Sequence, residues 1–292
     1  MAFSTKQEEI AVPKSTRPPF DPKRLSQEQL DIIHCDAQVI VGQAFAGTGK
    51  STTGLGYTAL HPDKKILVVC FNRANAQEAM ERYQHLPNAM VGTTHALALH
   101  HKILTQHQRA RVATRWNALT LRSEMPQVGG KSDLRMAAVT ASILTEFFMS
   151  PDPHIDAAIH GRHAKNTLNA SDTTIEAAIP FARKLWDAMR SSSSSIAIPH
   201  DAYLKMFVMQ GRNLDFDTVI FDEAQDANPI MLKMLEDQYK QKTSRGNYSK
   251  LMYLGDRHQA IYEFRGAVNA MEKLPNCAKI LALTPSWRFG PK

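Results

Sequence analysis

The sequence predicts an α/β fold, in which a parallel, doubly wound sheet is interrupted by a helical insertion. Short runs of β-branched and apolar residues recur along the 292 residues, and most are followed by a small or acidic residue and then by a helical pattern. This alternation is typical of parallel strands that are joined by helices. The predicted strands occupy positions 39–41, 66–71, 218–221, 251–254 and 280–283.

The alternation stops between about 96 and 205, where the sequence is helical in pattern. Apolar residues recur at helical spacing in 132–148 and 172–190. A Ser-Pro-Asp-Pro turn at 150–153 and five serines at 191–195 separate the helical stretches. We therefore predict that this region is a helical insertion subdomain between two strands of the sheet.

The rest of the chain divides into a tail and the domain that contains the sheet. Residues 1–24 combine charged residues, serines and four prolines without periodicity, and this composition indicates a disordered tail. Residues 25–95 and 206–292 contain the predicted strands. We expect these two segments to form one domain.

The composition favours a soluble protein with a polyanionic partner. Hydrophobic residues make up 43% of the chain, and the net charge is +7. The three cysteines form no C-x-x-C pair, so we predict neither a disulfide framework nor a zinc site, and we expect a reducing cytoplasm, or the nucleus in a eukaryote. No stretch approaches 18 apolar residues and the first 20 residues lack a secretory signal, so we expect no membrane role.

A glycine-rich loop, GQAFAGTGKST at 42–52, follows the first predicted strand. Small residues let backbone N–H groups close around a triphosphate, while a lysine supplies a fixed positive charge. The common pattern of such loops begins with a glycine, where this chain has Ala44. The loop predicts binding of ATP or GTP by Ala46, Gly47, Thr48, Gly49, Lys50, Ser51 and Thr52.

The predicted strand at 218–221 ends in two adjacent carboxylates, Asp222 and Glu223. Asp222 and Ser51 suit Mg²⁺, and Glu223 suits polarisation of the water that attacks a γ-phosphate. A simpler alternative is an acidic start of a helix. For Asp222 to meet Lys50, we expect the insertion to loop out and the two strands to lie side by side.

These elements resemble the UvrD/Rep-like superfamily 1 DNA helicases, most closely the F-box DNA helicase branch, over about 25–290. The family's loop reads A-x-A-G-T-G-K-[ST], which residues 44–51 match. The resemblance implies a RecA-like P-loop NTPase sheet, ATP with Mg²⁺, and Gln29 in the element that reads adenine. An amide donates and accepts together, which suits that base; by itself, Gln29 would be interpreted as a surface helix residue.

Two further segments resemble family elements in the second half of the chain. Residues 253–267 are similar to G-D-x-x-Q-x-I-Y-x-[WF]-R-G-A, and residues 283–288 to L-x-x-[NS]-[YFW]-R. The resemblance implies that Gln259 senses the γ-phosphate, that Trp287 stacks on adenine and that Arg288 approaches the γ-phosphate. It also implies contacts with single-stranded DNA by Tyr262, Phe264 and Arg265. If either segment stood alone, its aromatic residues would be interpreted as core residues and its arginine as a surface residue.

Two short segments are similar to the family's first and second DNA-contact elements. The first contains Phe71, Asn72 and Arg73, and the second contains Thr93, Thr94 and His95. Exposed rings accept any base by stacking, and hydroxyl and amide groups hold phosphates. Without the resemblance, Phe71 would be interpreted as a core residue and His95 as a helix-start residue, and both interpretations stay open.

The insertion carries basic residues with two possible roles. Arg109, Arg111, Arg115, Arg122 and Lys131 either follow a nucleic-acid backbone or form a solvated helix face, and the second interpretation is favoured. The segment 200–206 is similar to the stretch that precedes the acidic strand in the F-box helicase branch. We assign it no catalytic role.

The leading hypothesis is the first motor domain of an ATP-dependent DNA helicase or translocase, with 3′ to 5′ polarity implied by the resemblance alone. Its partners would be single-stranded DNA or a 3′-tailed duplex. The family needs a second RecA-like domain, for which no room remains before Lys292, so we expect a continuation of the chain or another polypeptide to supply it. The alternative is a catalytically impaired module that binds single-stranded nucleic acid or a protein partner.

Overall fold

A six-stranded parallel sheet forms the centre of the computed structural model, which describes residues 20–45, 47–113, 116–121, 124, 127–128, 131–256 and 277–285. In chain order the strands of this sheet are β1 (Val39–Ala44), β2 (Ile66–Cys70), β3 (Ala89–Thr93), β8 (Thr218–Asp222), β9 (Lys250–Gly255) and β10 (Lys279–Leu283). Four two-residue strands lie outside it, namely β4 (Val112–Ala113), β5 (Gln127–Val128), β6 (Lys131–Ser132) and β7 (Ile198–Pro199). The spatial order in the large sheet is β10-β1-β9-β8-β2-β3.

Helices surround this sheet and fill the region between β3 and β8. Those of the described residues are α1 (Gln27–Ile33), α2 (Lys50–Leu60), α3 (Arg73–Tyr83), α4 (Thr94–His100), α5 (Gln106–Ala110), α6 (Leu134–Met149), α7 (Ala157–His160), α8 (Arg162–Leu168), α9 (Asp172–Arg190), α10 (His200–Met209) and α11 (Pro229–Tyr239). Short 3₁₀ turns occupy Pro22–Arg24 and Ala224–Asp226. None of the helices in the described ranges is long and apolar enough to cross a bilayer.

Alternate residues of the strands enter two different cores. In β1, Val39 and Val41 belong to one apolar cluster, whereas Ile40 belongs to the other. Successive side chains of a strand point to opposite faces, so both faces of the sheet are covered. This burial explains why β1, β2 and β8 are nearly continuous apolar runs. The predicted α/β fold with a parallel sheet is confirmed.

One cluster continues from the sheet into the helices between β3 and β8. It contains residues of α6, α9 and α10 together with Val219 and Phe221 of β8. The helices predicted at 132–148 and 172–190 are α6 and α9, and the second has the predicted bounds. The strand β3 was not predicted, because its sequence, AMVGT, contains a glycine and no long β-branched run.

The expectation that the strands leading to Lys50 and Asp222 lie side by side is wrong. Strand β9 lies between β1 and β8, and the helix α2 bridges the gap because it packs over β8 and β9. Gly54 permits this close approach, since a Cβ there would lie 2.8 Å from the Tyr83 hydroxyl and 3.4 Å from Ile220 and Leu254. The beginning of α2 therefore reaches the end of β8 across an intervening strand.

Arg111 has a structural role in the helical region between β3 and β8. Its guanidinium donates hydrogen bonds to the carbonyls of Ala188 and Met189 in the last turn of α9, and to those of Ser191 and Ile196 in the segment that follows. The two carbonyls of the last turn lack partners within the helix, and a cation there also complements the helix dipole. The favoured interpretation of a solvated face is therefore wrong for Arg111, and Arg115 and Arg122 lie outside the described residues.

His160 is a buried titratable group in α7 and is only 1% exposed. Its Nδ1 accepts a hydrogen bond from the backbone N–H of Asp156, and its Nε2 lies 2.9 Å from the Ser150 hydroxyl and 3.3 Å from an oxygen of Asp152. Burial lowers the pKa of His160 below its usual value.

This burial predicts a pH-dependent loss of stability. The unfolded chain binds a proton at His160 as the pH falls below about 6.5, whereas the native chain resists protonation, so stability present above pH 6.5 is lost on acidification. His160→Gln should lower the free energy of unfolding at pH 7.5 by about 1–3 kcal/mol, and the deficit should shrink at pH 5.5. Urea unfolding at both pH values measures it.

The matched control is His154→Gln, in the same turn, where the side chain is exposed. The difference in free energy of unfolding between His154→Gln and the unsubstituted chain should be the same at both pH values. The prediction would be contradicted if the free energy of unfolding depended on pH equally in the unsubstituted chain and in His160→Gln.

Candidate nucleotide site and nucleic-acid interface

The glycine-rich loop ends in an open helix N-terminus. Gly47 and Gly49 have φ of +76° and +87°, a region that glycine enters without steric cost. The helix α2 then begins at Lys50, and no side chain caps it. Its first N–H groups have no partners within the helix, and the helix dipole places partial positive charge there. This geometry is suited to an anion at the beginning of α2.

Gln29 packs against the loop from α1 and is 2% exposed. Its Nε2 donates to the carbonyl of Gly49 at 3.3 Å, and its Oε1 accepts from the backbone N–H of Ser26. A Cβ on Gly49 would lie 2.7 Å from this Nε2. The amide predicted to read adenine therefore helps to position the loop, and its role toward a base stays a prediction.

The loop and the acidic end of β8 meet directly. The Ser51 hydroxyl donates to Oδ2 of Asp222 at 2.7 Å, although the two residues are 171 positions apart. The ammonium of Lys50 lies 3.4 Å from Oε2 of Glu223 and is 9% exposed. The structure therefore brings together Lys50, Ser51, Asp222 and Glu223, four of the residues that were predicted to carry nucleotide chemistry.

Burial raises the pKa of Asp222, and the negative charge of Glu223 acts in the same direction. The hydrogen bond from Ser51 and the charge of Lys50 oppose this change. An additional cation beside Asp222 would favour its ionised form for the same electrostatic reason. The geometry and the charge therefore fit a divalent cation held by Ser51 and Asp222.

A cavity of about 290 Å³ lies beside these carboxylates. Burial raises the pKa of Cys70 to about 12 and raises that of Tyr83 as well, so both of these wall residues are neutral at physiological pH. The described residues contain no group of three His, Cys, Asp or Glu that could hold a metal ion. Mg²⁺ is commonly held by one or two carboxylates together with water and phosphate oxygens, and the carboxylates of Asp222 and Glu223 line the cavity.

Glu223 and Gln225 form a connection that the sequence analysis missed. Glu223 has φ of +57°, which is unusual for a residue with a side chain. The amide of Gln225 donates to Oε2 of Glu223 at 2.8 Å and accepts from the backbone N–H of Asp256 at 3.1 Å. The sequence signal was weak, because Gln225 is one polar residue among the acidic residues Asp222, Glu223 and Asp226.

The residues of the predicted DNA-contact elements lie at the ends of two neighbouring strands. Cys70 of β2 pairs with Thr93 of β3, so Phe71 and Asn72 follow one strand end beside the other. Phe71 is half-buried and packs against the core, whereas Arg73 is exposed. Phe71 thus has core contacts as well as an accessible part, in accord with both interpretations from the sequence.

The polar residues of these elements also cap the helices that follow. Asn72 accepts from the backbone N–H of Asn75, and Thr93 accepts from that of Ala96. Thr94 is 1% exposed because it faces the core at the start of α4. Its side chain is therefore not available for the direct DNA contact that the resemblance implied.

His95 is held by α10. Its Nε2 lies 3.0 Å from Oδ1 of Asp201, and the ring of Tyr203 meets it edge to face at 5.9 Å. The segment 200–206, which received no catalytic role from sequence, thus orients a residue of the predicted interface. The contact could not be found from the sequence because the two residues are 106 positions apart.

Several predicted site residues fall outside the described part of the chain. The loop residue in this group is Ala46, and the others belong to the two similar segments near the carboxyl end. Their roles stay predictions. They are Ala46, Gln259, Tyr262, Phe264, Arg265, Trp287 and Arg288.

Comparison with known proteins agrees with the geometry of the loop and the acidic strand. Residues 25–274 match the family described as UvrD/REP helicase N-terminal domain. The chain belongs to this family. The UvrD/REP match begins just before Gln29 and includes the loop and both carboxylates.

Two curated relatives of this UvrD/REP domain are F-box DNA helicases by name. F-box DNA helicase protein 1 of Schizosaccharomyces pombe is 32% identical over 307 residues, which cover 96% of this chain and 33% of the relative. F-box DNA helicase 1 of Gallus gallus is 27% identical over 286 residues, which cover 92% of this chain and 27% of the relative. The chain thus spans about a third or less of the length of these relatives.

The loop geometry generates a test with a matched glycine. Gly246 has φ of +81° and nothing within 4 Å of an added Cβ, whereas Gly49 would place a Cβ 2.7 Å from Gln29. Gly246→Ala should lower the free energy of unfolding by about 1–2 kcal/mol through backbone strain. Gly49→Ala should lower it further, because Gln29 must also move. Urea unfolding of both variants measures the difference, and equal losses would contradict the described contact.

Proposed function

We propose that the chain is the first motor domain of an ATP-dependent DNA helicase or translocase, which binds and hydrolyses Mg·ATP and grips single-stranded DNA. The observation that supports this most strongly is the 2.7 Å hydrogen bond between Ser51 and Asp222. It joins an anion-binding helix end to a carboxylate suited to a cation. A nucleoside triphosphate with its metal needs both features at one place.

The chain's own groups would bind the triphosphate in two ways. The N–H groups of the loop and of the start of α2 would donate to phosphate oxygens, and Lys50 would exchange Glu223 for a phosphate as its partner. Ser51 and Asp222 would hold Mg²⁺, which when bound neutralises charge on the phosphate oxygens. Gln29 would read adenine from the adjoining helix.

Hydrolysis would depend on Glu223. Its carboxylate lies 3.4 Å from the ammonium of Lys50. Because that ammonium would contact the phosphates, the Glu223 carboxylate would lie close to them. A carboxylate at this place can accept a proton from, and orient, the water that attacks the γ-phosphate. Gln259 and Arg288 are proposed to complete the site from outside the described residues.

The single-stranded DNA would lie across the ends of β2 and β3. Phe71 would stack on a base, Asn72 and Thr93 would contact the backbone, and Arg73 would supply charge. His95 would contribute from α4 in the orientation that Asp201 sets. Tyr262, Phe264 and Arg265 would extend the same surface, and the net charge of +7 favours a polyanion.

Translocation would require a second RecA-like domain, because closure of two such domains on ATP moves one of them along the strand. We propose 3′ to 5′ polarity on the resemblance to the family. The longer relatives, which are DNA helicases by name, support the same proposal for the whole protein.

The nucleotide site generates a binding prediction. Lys50→Ala should weaken binding of Mg·ATP about 10- to 100-fold, because it removes a charged hydrogen bond worth about 1.5–3 kcal/mol. Titration with a fluorescent ATP analogue in the presence of Mg²⁺ measures the affinity. Lys240→Ala, at an exposed position directly after α11, should bind like the unsubstituted chain. Unchanged affinity in Lys50→Ala would refute the nucleotide assignment.

The proposed strand interface generates a separate prediction. Phe71→Ala should weaken single-stranded DNA binding by about 5- to 100-fold, since stacking contributes about 1–3 kcal/mol per base, while Mg·ATP affinity stays the same. Fluorescence anisotropy with a labelled oligonucleotide measures it. The control is Phe181→Ala, another half-buried phenylalanine that packs on the same core from α9. Equal DNA affinities of the two variants would assign Phe71 to the core alone.

A further inference from the structure

Gln225 occupies a position in which both ends of its amide have a specific task. It lies in the 3₁₀ turn Ala224–Asp226 after β8 and is 3% exposed. Its Nε2 donates to Oε2 of Glu223, and its Oε1 accepts from the backbone N–H of Asp256. A reversed amide would place an oxygen against a carboxylate and an NH₂ group against an N–H. The two partners therefore determine one orientation of the side chain.

Glu223 depends on this partner because its backbone is strained. Its φ of +57° is a conformation that costs free energy and persists only when the surroundings enforce it. Lys50 and Gln225 both contact the same oxygen, Oε2, at 3.4 Å and 2.8 Å. When a phosphate takes Lys50 as its partner, Gln225 would continue to hold the carboxylate.

The chemistry of the amide suits that task. A neutral donor orients a carboxylate without cancelling its charge, so the carboxylate stays able to accept a proton. A methionine at 225 would fill a similar volume but form neither hydrogen bond. A glutamate would retain the acceptor for Asp256 and would repel Glu223. The glutamine amide satisfies both partners with the observed backbone.

We propose that Gln225 is a positioning residue that holds the Glu223 carboxylate in place for ATP hydrolysis and links it to the end of β9. This inference rests on the proposed function, in which Glu223 orients the attacking water. Gln225 itself would not touch the nucleotide. Loss of its amide should therefore lower the rate of the chemical step and leave nucleotide affinity unchanged.

A second buried glutamine offers a matched control. Gln238 on α11 is also 3% exposed, and its amide contacts the backbone of Arg212, Leu214 and Met234. Both amides satisfy buried backbone groups, but only that of Gln225 also contacts a carboxylate of the proposed site. A purely structural role of Gln225 would make the methionine substitutions at the two positions equivalent.

The experiment compares Gln225→Met, Gln238→Met and the unsubstituted 292-residue chain. Single-turnover hydrolysis over a range of Mg·ATP concentrations separates the maximal rate from the affinity, and urea unfolding in parallel gives the folded fraction. Gln225→Met should lose about 10- to 100-fold in rate per folded molecule, as a displacement of about 1 Å in a catalytic group can cause. Its affinity for Mg·ATP should stay within about twofold, and Gln238→Met should keep the full rate.

Other results would contradict either the positioning role of Gln225 or the proposed hydrolysis of ATP. If Gln225→Met and Gln238→Met hydrolyse equally, Gln225 is structural and the inference is wrong, while the proposed function stands. If Gln225→Met loses affinity in proportion to rate, the residue shapes the binding site and does not position Glu223. If the unsubstituted chain binds Mg·ATP and hydrolyses none, hydrolysis by this chain is refuted and the positioning role with it.

Discussion

The contact between Ser51 and Asp222 is the constraint on which the rest of this structure depends. It joins the start of α2 to the end of β8 across 171 positions of sequence. The strand β9 lies between β1 and β8, so α2 must cross the sheet closely, and Gly54 makes that approach possible. The long helical region between β3 and β8 shares an apolar core with the sheet, and α10 reaches His95 through Asp201.

The charges of Asp222, Glu223 and Lys50 partly balance one another in the absence of a ligand. Two neighbouring carboxylates, Asp222 and Glu223, face one ammonium, that of Lys50, and burial raises the pKa of Asp222. A polyphosphate would add negative charge, and a divalent cation would compensate it beside Asp222. Nucleotide and metal are therefore expected to bind together, because either one alone leaves the site with unbalanced charge.

The sequence predicted those strands, helices and loops that have a clear pattern of apolar or small residues within a single segment. The five predicted strands and the helices α6 and α9 are present because their apolar patterns match their burial, and the loop at 42–52 leads into α2 as expected. The strand β3 was missed because its pattern is weak. The insertion of β9 between β1 and β8, the Asp201–His95 contact and the amide of Gln225 arise only from tertiary packing. Burial of Thr94 could likewise not be distinguished from exposure at a helix start.

A crystal structure of the chain with Mg²⁺ and a non-hydrolysable ATP analogue would test the proposed nucleotide site most directly. We expect the phosphates to lie against the N–H groups at 47–51, the ammonium of Lys50 to contact a phosphate, and the metal to lie between the Ser51 hydroxyl and the Asp222 carboxylate. A nucleotide bound elsewhere, or phosphates that contact neither the loop nor a metal at Asp222, would contradict it.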